Sequence, residues 1–182
     1  AAVAKENRCA THIDGARILN ASIATGVDVS RMCRDYDSVS ICLSKGLGAP
    51  VGSVLVGSQE FINKAHRWRK MFGGGWRQAG VLAAACLHAL DHHVERLAED
   101  HARARKVAEA INAMDNFSVD LDAVQSNLVY VNCNIPAADL VVSLAEHGID
   151  MFDLPYNRVR VAIHLHITDE DVDRIIAAFA AQ

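Results

Sequence analysis

The sequence predicts an α/β chain whose last part forms a small α+β domain. Three patterns lead to this prediction. A strand, a helix and a second strand follow one another over residues 9–43, the order of a parallel strand pair joined by a crossover. A lysine on a glycine-rich turn then separates the second strand from a third one at residues 51–56. After residue 112 short strands alternate with helices, which is typical of an α+β layer.

Hydrophobic periodicity and turn residues define the elements of the first part. We expect strands at residues 9–13, 39–43 and 51–56, and helices at residues 16–24, 30–34, 59–71 and 79–111. A helix longer than 25 residues commonly bends or bridges two domains. The sequence His92-His93-Val94-Glu95 is therefore the expected boundary between a first domain, residues 1–95, and a second domain, residues 96–182.

The sequence after residue 112 predicts shorter elements. We expect strands at residues 117–121, 128–131, 151–152 and 158–164, with a helix at residues 137–147 between the second and third of them. The sequence Thr168-Asp169-Glu170-Asp171 is typical of a capped helix start, so a final helix should follow it.

Composition excludes several classes of protein. The 182 residues are 51% hydrophobic, enough for a sizeable core, and fit one compact domain or one domain with a small satellite. A net charge of −4 gives no electrostatic reason to expect nucleic acid or a membrane surface as a partner. The five cysteines are scattered without a CxxC pair, which indicates reduced thiols and a cytoplasmic location. We assign no metal-binding residues.

The start of the chain predicts a missing segment. The sequence has no initiator methionine and opens on a helix-like tail that runs directly into a strand. We therefore expect a fragment of a longer chain, whose other part lies upstream.

Lys45 is the first candidate for chemistry. It follows a buried strand and lies on a turn with Gly46, Gly48 and Gly52, whose missing side chains would let a flat ligand approach closely. A surface lysine in a hairpin loop explains this stretch equally well. The choice between the two interpretations depends on the rest of the chain.

Three further charged residues occupy informative positions. Asp14 ends a strand, although an aspartate there is more often a turn former or a helix cap. Arg77 follows three consecutive glycines, although a lone arginine is more often a surface cation. Arg160 lies within an apolar strand, where it needs a partner or faces solvent at a sheet edge. Together with Lys45 they suit an anionic aromatic cofactor and an anionic substrate.

Four blocks of the sequence resemble low-specificity L-threonine aldolases. They are HIDGAR at residues 12–17, SKGLGAPVGS at residues 44–53, GGGWRQAG at residues 73–80 and, more loosely, VRVAIH at residues 159–164. In the third block Trp76 replaces the family's usual methionine. The resemblance implies the C-terminal part of a fold type I large domain of pyridoxal-phosphate enzymes, carrying the lysine, followed by a small α+β domain.

The resemblance also implies roles in binding pyridoxal 5'-phosphate. Lys45 would form a Schiff base with the cofactor aldehyde. Asp14 would pair with the pyridine nitrogen, and Ala16 would pack on the ring face. Arg17 would lie near the phenolate oxygen of the ring. Arg77 would contact the phosphate, from the same subunit or from a neighbouring one.

The implied reaction is a retro-aldol cleavage of β-hydroxy-α-amino acids such as L-threonine and allo-threonine. Arg160 would hold the substrate α-carboxylate in a bidentate pair, and the products would be glycine and an aldehyde. No residue is assigned as the catalytic base. His12 is expected to support Asp14, and His164 and His166 are open to a structural interpretation.

Two other functions stay open from the sequence. A different fold type I enzyme, such as a β-eliminating lyase or a transaminase, would share Asp14 and Lys45. An inactive fragment without the upstream half of the pocket would keep the fold alone. The resemblance further implies a carbon–carbon lyase of threonine catabolism and glycine biosynthesis that assembles as a homodimer or homotetramer.

Overall fold

The computed structural model describes residues 1–182 and divides into two compact units, Ala1–Glu95 and Arg96–Gln182. The first unit contains three strands and five helices. Its elements are α1 Ala2–Glu6, β1 His12–Asp14, α2 Ile18–Thr25, α3 Val29–Cys33, β2 Ser38–Cys42, β3 Ser53–Gly57, α4 Gln59–Met71 and α5 Gly80–His92.

The three strands of the first unit form one sheet in the order β1-β2-β3. Strands β1 and β2 are parallel, with Asp14 opposite Ser40, so the predicted parallel pair is confirmed. Strand β3 runs antiparallel to β2, with Ser53 opposite Cys42. Residues 43–52, which carry Lys45 and are called the lysine turn below, therefore connect two neighbouring antiparallel strands. The strand that ends at Asp14 lies on the other side of β2.

Local signals explain the helices around this sheet. Helix α2 ends at Gly26, whose φ of 67° is the left-handed conformation that favours glycine. Asp28 caps α3 by accepting a hydrogen bond from the Ser30 N–H. Ser58 caps α4 in the same way through the Phe61 N–H. The predicted bounds of α4, residues 59–71, are confirmed.

The predicted helix over residues 79–111 is wrong, because the chain forms two helices there. Helix α5 ends at His92 and α6 begins at Leu97. His93 bonds through its ring to the Leu47 carbonyl, and Glu99 and Asp100 place acidic charge in the first turn of α6. Acidic residues favour a helix N-terminus, so the charge pattern marks a new start within the apparent single helix.

The first unit leaves many large apolar side chains exposed. Phe72 is 83% exposed and Val81 82%. Others on the same unit are Val54, Val56, Trp68, Met71, Trp76, Leu87 and Leu90. Exposed apolar surface on this scale is typical of regions that bind other protein surfaces.

The second unit is an antiparallel sheet with helices. Its elements are α6 Leu97–Asn112, β4 Phe117–Ser118, a 3₁₀ turn at Leu121–Ala123, β5 Leu128–Cys133, α7 Ala137–Glu146, β6 Asp153–Leu154, β7 Arg158–Ala162 and α8 Asp169–Ala180. The strand order is β4-β5-β7-β6, and every neighbouring pair is antiparallel.

Alternation along β5 and β7 builds the core of the second unit. Val129, Val131, Val159 and Val161 are buried, while the residues between them face outward. The buried side chains of α6, α7 and α8 complete this core, and a T-shaped contact joins the rings of Phe117 and Phe179. The predicted α+β architecture of this part is present.

Side-chain caps set the ends of two elements of the second unit. Thr168 and Asp171 exchange both hydrogen bonds of a capping box at the start of α8, as predicted. The strand predicted at residues 117–121 ends at Ser118, because the Asp120 carboxylate accepts the Asp122 N–H and starts the 3₁₀ turn. The strand predicted at residues 151–152 is displaced to Asp153–Leu154.

No helix of the chain is both long and apolar enough to cross a membrane. No three His, Cys, Asp or Glu side chains are grouped so that they could hold a metal ion.

Candidate active site

Asp14 lies at the carboxyl end of β1, next to the strand that leads to Lys45. Its side chain is exposed, and Oδ1 accepts a hydrogen bond of 3.1 Å from the Ala16 N–H. This bond closes a tight turn after the strand and leaves Oδ2 without a partner in the chain. One carboxylate oxygen is therefore free to bind a ligand.

Gly15 holds this turn against β2. Its N–H donates to the Ser40 carbonyl over 2.8 Å. A Cβ at Gly15 would lie 2.8 Å from that oxygen, which is too close for a side chain, and 3.0 Å from Val39 Cγ1, which is a tight contact. Glycine is required here by the close approach of two backbones.

Arg17 is half-buried beside a small cavity. Its Nε is buried without a hydrogen-bond partner, which is costly for a charged group unless a ligand supplies an acceptor. Ala16, Cys42 and Gly46 are among the residues that line the same cavity of about 10 Å³. The turn after Asp14 and the turn that carries Lys45 are thus neighbours.

The lysine turn is held by its own backbone. The Leu43 N–H donates to the Gly52 carbonyl and the Ala49 N–H to the Leu43 carbonyl, both over 3.0 Å. Gly48 and Gly52 have φ values of 70° and 111°, where a side chain would be strained. Lys45 itself is exposed and forms no ion pair with the chain's carboxylates.

Cys42 gives this edge a second nucleophilic group. Burial raises the pKa of its thiol, but hydrogen bonding with Ser44 and Ser53 and the Lys45 charge outweigh that effect, so the pKa lies below its ordinary value. The Sγ atom is 3.6 Å from the Ser44 hydroxyl. The sequence does not single out Cys42 among the five cysteines, and the structure places it partly exposed beside the lysine turn.

His12 does not support Asp14 through a hydrogen bond, contrary to expectation. Its Nδ1 is 2.9 Å from the Ser38 hydroxyl on the neighbouring strand. Because Ser38 is buried and pairs with His12 across the parallel ladder, the ring is held by β2.

Arg77 is exposed in the segment between α4 and α5. It forms no hydrogen bond or ion pair with Asp14 or Lys45, so the structure does not bring these three side chains into contact. Gly73, with a φ of 83°, ends α4 and allows the chain to turn before Arg77. The predicted phosphate contact of Arg77 stays a prediction.

Arg160 belongs to the second unit, on the outward face of β7. It lies opposite Tyr130 on β5, and its guanidinium forms no hydrogen bond or ion pair. It lines a cavity of about 300 Å³ together with His164, His166 and Arg174. An unpaired guanidinium in an open cavity suits an anionic ligand, and its predicted carboxylate role stays a prediction.

His93, which no pattern in the sequence singles out, contacts the lysine turn. Its Nδ1 is 2.6 Å from the Leu47 carbonyl oxygen, and the ring is partly buried. The two residues are 46 positions apart, so no local pattern connects them. Only the packing of α5 near the sheet could reveal the contact.

The parallel strands with a carboxylate and an amine at their carboxyl ends have the arrangement of an α/β enzyme site. Residues 1–134 match the profile of the beta-eliminating lyases, and the chain belongs to this family.

The chain is also similar to curated low-specificity L-threonine aldolases. It is 45% identical over 181 residues to aldolase 1 of Arabidopsis thaliana, covering 97% of this chain and 51% of that protein. It is 40% identical over 178 residues to the Escherichia coli K12 enzyme, covering 97% and 52%. The predicted resemblance is confirmed, and the chain spans about half the length of the curated relatives it matches.

Solved structures share the fold at low sequence identity. A proposed L-allo-threonine aldolase from Listeria monocytogenes EGD-E matches with a TM-score of 0.82 and 19% identity, covering 99% of this chain and 54% of that one. A serine palmitoyltransferase from Sphingomonas wittichii matches with a TM-score of 0.72 and 19% identity, covering 99% and 48%. Both have the fold type I architecture, so the predicted fold class is confirmed.

The residues on the first unit fit pyridoxal phosphate as a bound group. The free Oδ2 of Asp14 suits a protonated ring nitrogen, and the unpaired Nε of Arg17 suits an anionic ring oxygen. The unpaired Lys45 amine suits an aldehyde. The family and the relatives point to the same cofactor.

Proposed function

We propose that the protein carrying this chain is a pyridoxal-phosphate-dependent aldolase that cleaves L-threonine and allo-threonine-type β-hydroxy-α-amino acids. The observation that carries the proposal is the pairing of β1 with β2, which puts Asp14 and the turn of Lys45 at one edge of the sheet. The similarity to low-specificity L-threonine aldolases supports the choice of substrate.

The cofactor, when bound, supplies an aldehyde that bonds to amines and a ring that accepts electrons from a breaking bond. Lys45 would hold it by its Nζ amine. The Asp14 carboxylate would keep a proton on the ring nitrogen, and Ala16 would lie against the ring. Arg17 would balance the negative charge of the ring oxygen, and Arg77 that of the phosphate.

Arg160 would bind the α-carboxylate of the amino acid as a bidentate pair. This contact orients the Cα–Cβ bond, because it fixes one of the three other substituents of Cα. Arg160 forms no ion pair within the chain, although Asp150 and Asp171 line the same cavity, and its unpaired guanidinium supports this role.

The reaction needs no oxidant and no reductant. The β-hydroxyl loses its proton, the Cα–Cβ bond breaks, and Cα receives a proton, so that threonine gives glycine and acetaldehyde. We assign no residue of this chain as the base. The hydrogen bond between His12 and Ser38 ties the His12 ring to the neighbouring strand β2, which supports a structural role for His12.

Two alternatives use the same residues. The family profile is that of beta-eliminating lyases, which favours β-elimination as the second candidate, and a transaminase would also use Asp14 and Lys45. A chain that holds the fold without cofactor is the third. β-Elimination and transamination differ in their products, and a chain without cofactor forms none.

The experiment is a substrate assay on the purified protein supplied with pyridoxal phosphate. The proposal predicts equal amounts of glycine and acetaldehyde from L-threonine, and no product from the Lys45→Ala variant. Ammonia with a keto acid would indicate β-elimination, and a keto acid with a newly aminated acceptor would indicate transamination. A protein that binds no pyridoxal phosphate would contradict the proposal.

The proposal includes a homo-oligomer, a dimer or a tetramer, in the cytoplasm. The exposed apolar side chains of α5, Val81, Leu87 and Leu90, support self-association. The five free cysteines support a reducing compartment. Roles in threonine catabolism and glycine formation follow from the proposed reaction.

A further inference from the structure

The end of helix α5 contacts the turn that carries Lys45. His93 Nδ1 lies 2.6 Å from the Leu47 carbonyl oxygen, two residues after the lysine. Cys86, about two turns earlier in the helix, directs its Sγ to the Val51 carbonyl over 3.6 Å. The two contacts lie on either side of the segment from Gly48 to Pro50, so one helix holds both halves of the turn.

The contact requires a hydrogen atom on the Nδ1 of His93. A carbonyl oxygen can only accept, so Nδ1 must carry the hydrogen and donate it. The side chain of Leu47 is buried and so is Gly46, which leaves the backbone beside Lys45 little freedom. The Gly48 N–H also donates to the Lys45 carbonyl over 2.9 Å, closing the same turn.

Neighbouring rings limit the rotation of His93. The ring of His88 stands edge-on to it, with centroids 5.3 Å apart. The ring centroid of His92 lies 4.5 Å from that of His88, but His92 forms no hydrogen bond with the lysine turn. His92 and His93 are adjacent histidines at the end of one helix, and only the second binds the turn.

We propose that His93 is a positioning residue for Lys45. Its Nδ1–H holds the Leu47 carbonyl, and through it the backbone that aims the lysine amine at the cofactor site. This inference rests on the proposed function, because Lys45 matters only where its amine carries the cofactor. It adds to that function a residue outside the aspartate, lysine and arginine blocks.

The His93→Leu variant removes the donor and keeps a side chain of similar bulk. We expect kcat for threonine cleavage to fall about tenfold, because a small displacement of a reacting group is costly. KM should stay within about twofold, since the substrate carboxylate is bound elsewhere. The visible absorbance band of lysine-bound pyridoxal phosphate should shift or weaken at equal cofactor content.

Two replacements of His93 by amide side chains distinguish the loss of the hydrogen bond from a general change in packing. The Nδ2 of asparagine is attached to Cγ, as Nδ1 is in histidine, so His93→Asn keeps a donor near the original place. The donor of His93→Gln lies one bond further out. We expect His93→Asn to keep kcat within about threefold of the wild type, and His93→Gln to resemble His93→Leu. This comparison holds even where the leucine variant folds poorly.

His92→Leu is the matched control and should leave both kcat and the absorbance band unchanged. Equal kcat in wild type and His93→Leu, or equal losses in His93→Asn and His93→Gln, would overturn the role of His93 while the wild-type band upholds the proposed function. A wild-type protein without the band would contradict both.

Discussion

The backbone N–H of Gly15 donates a 2.8 Å hydrogen bond to the carbonyl oxygen of Ser40. Gly15 directly follows Asp14, and Ser40 lies on the strand that leads to Lys45. The bond therefore ties the turn of the carboxylate to the strand of the amine. Since each group alone has ordinary structural explanations, it is their common edge that supports the proposed cofactor site.

Gly15→Ala should destabilise the protein. The new Cβ would lie 2.8 Å from the Ser40 oxygen, so the turn or the strand must move. We expect the free energy of unfolding to fall by about 1–3 kcal/mol, measured by denaturant unfolding.

Gly80→Ala is the control for this change. Its added Cβ has no neighbouring atom within 4 Å, and Gly80 is the first residue of α5. Alanine should be neutral there or stabilise by up to about 1 kcal/mol. Equal effects of the two replacements would argue against the close approach at Gly15.

Asp14→Asn removes the negative charge of the side chain and keeps its shape, so it tests the charge alone. The asparagine oxygen can still accept the Ala16 N–H, so the turn should persist. Loss of the charge beside the ring nitrogen should lower kcat about 100-fold or more while cofactor still binds. The measurement is threonine cleavage at known cofactor content.

Asp35→Asn serves as the control for the loss of one negative charge. Asp35 is exposed and pairs only with Arg31 and Arg34, at 3.6 Å. Its replacement should leave cleavage unchanged. Full activity in Asp14→Asn would remove Asp14 from the site.

Asp100→Ala should destabilise the second unit strongly. Asp100 is fully buried and bonds to Arg96 over 2.7 Å near the start of α6. Removing one partner of a buried ion pair leaves the other charge uncompensated and costs about 3–5 kcal/mol. Glu99→Ala tests the same arginine, but Glu99 is exposed and 3.8 Å from Arg96, so it should change stability by less than about 1 kcal/mol.

The pair of Asp169 and Arg103 predicts a loss of stability in acid. The hydrogen bond from the Arg103 side chain, together with its charge, lowers the pKa of Asp169 below 3.8. The stabilisation is therefore complete above that pH and is lost as the pH falls through the folded-state pKa.

Thermal unfolding of the wild type and Asp169→Asn should show this loss directly. The difference between their midpoints should be largest near neutral pH and shrink in acid. In an Arg103→Gln background the same replacement should give a much smaller difference at every pH. A difference that grows as the pH falls would refute the assignment.

Much of the fold could be predicted from the sequence because the signals involved are local. Alternating residues around Val39, the glycine after α2 and the cap at Thr168 each act within a few positions, and each predicted element is present. The glycine turn around Lys45 could be recognised for the same reason, since its left-handed conformations require glycine.

The other features of the fold and the site depend on contacts between residues that are far apart in the sequence. The contact of His93 with Leu47 spans 46 residues, and the break between α5 and α6 accompanies it. The buried, unpaired Nε of Arg17 and the Ser38 partner of His12 depend on how β1 packs beside β2. No periodicity in the sequence encodes such contacts, so they were absent from the prediction or wrong in it.

The central claim is that Lys45 carries pyridoxal phosphate, and peptide mass spectrometry tests it most directly. Borohydride reduction of the cofactor-loaded protein converts a lysine–cofactor C=N bond to a stable amine, which marks the lysine involved. The chain has four other lysines, Lys5, Lys64, Lys70 and Lys106. We predict the cofactor adduct on the peptide of Lys45; an adduct on another lysine, or none, would contradict the account.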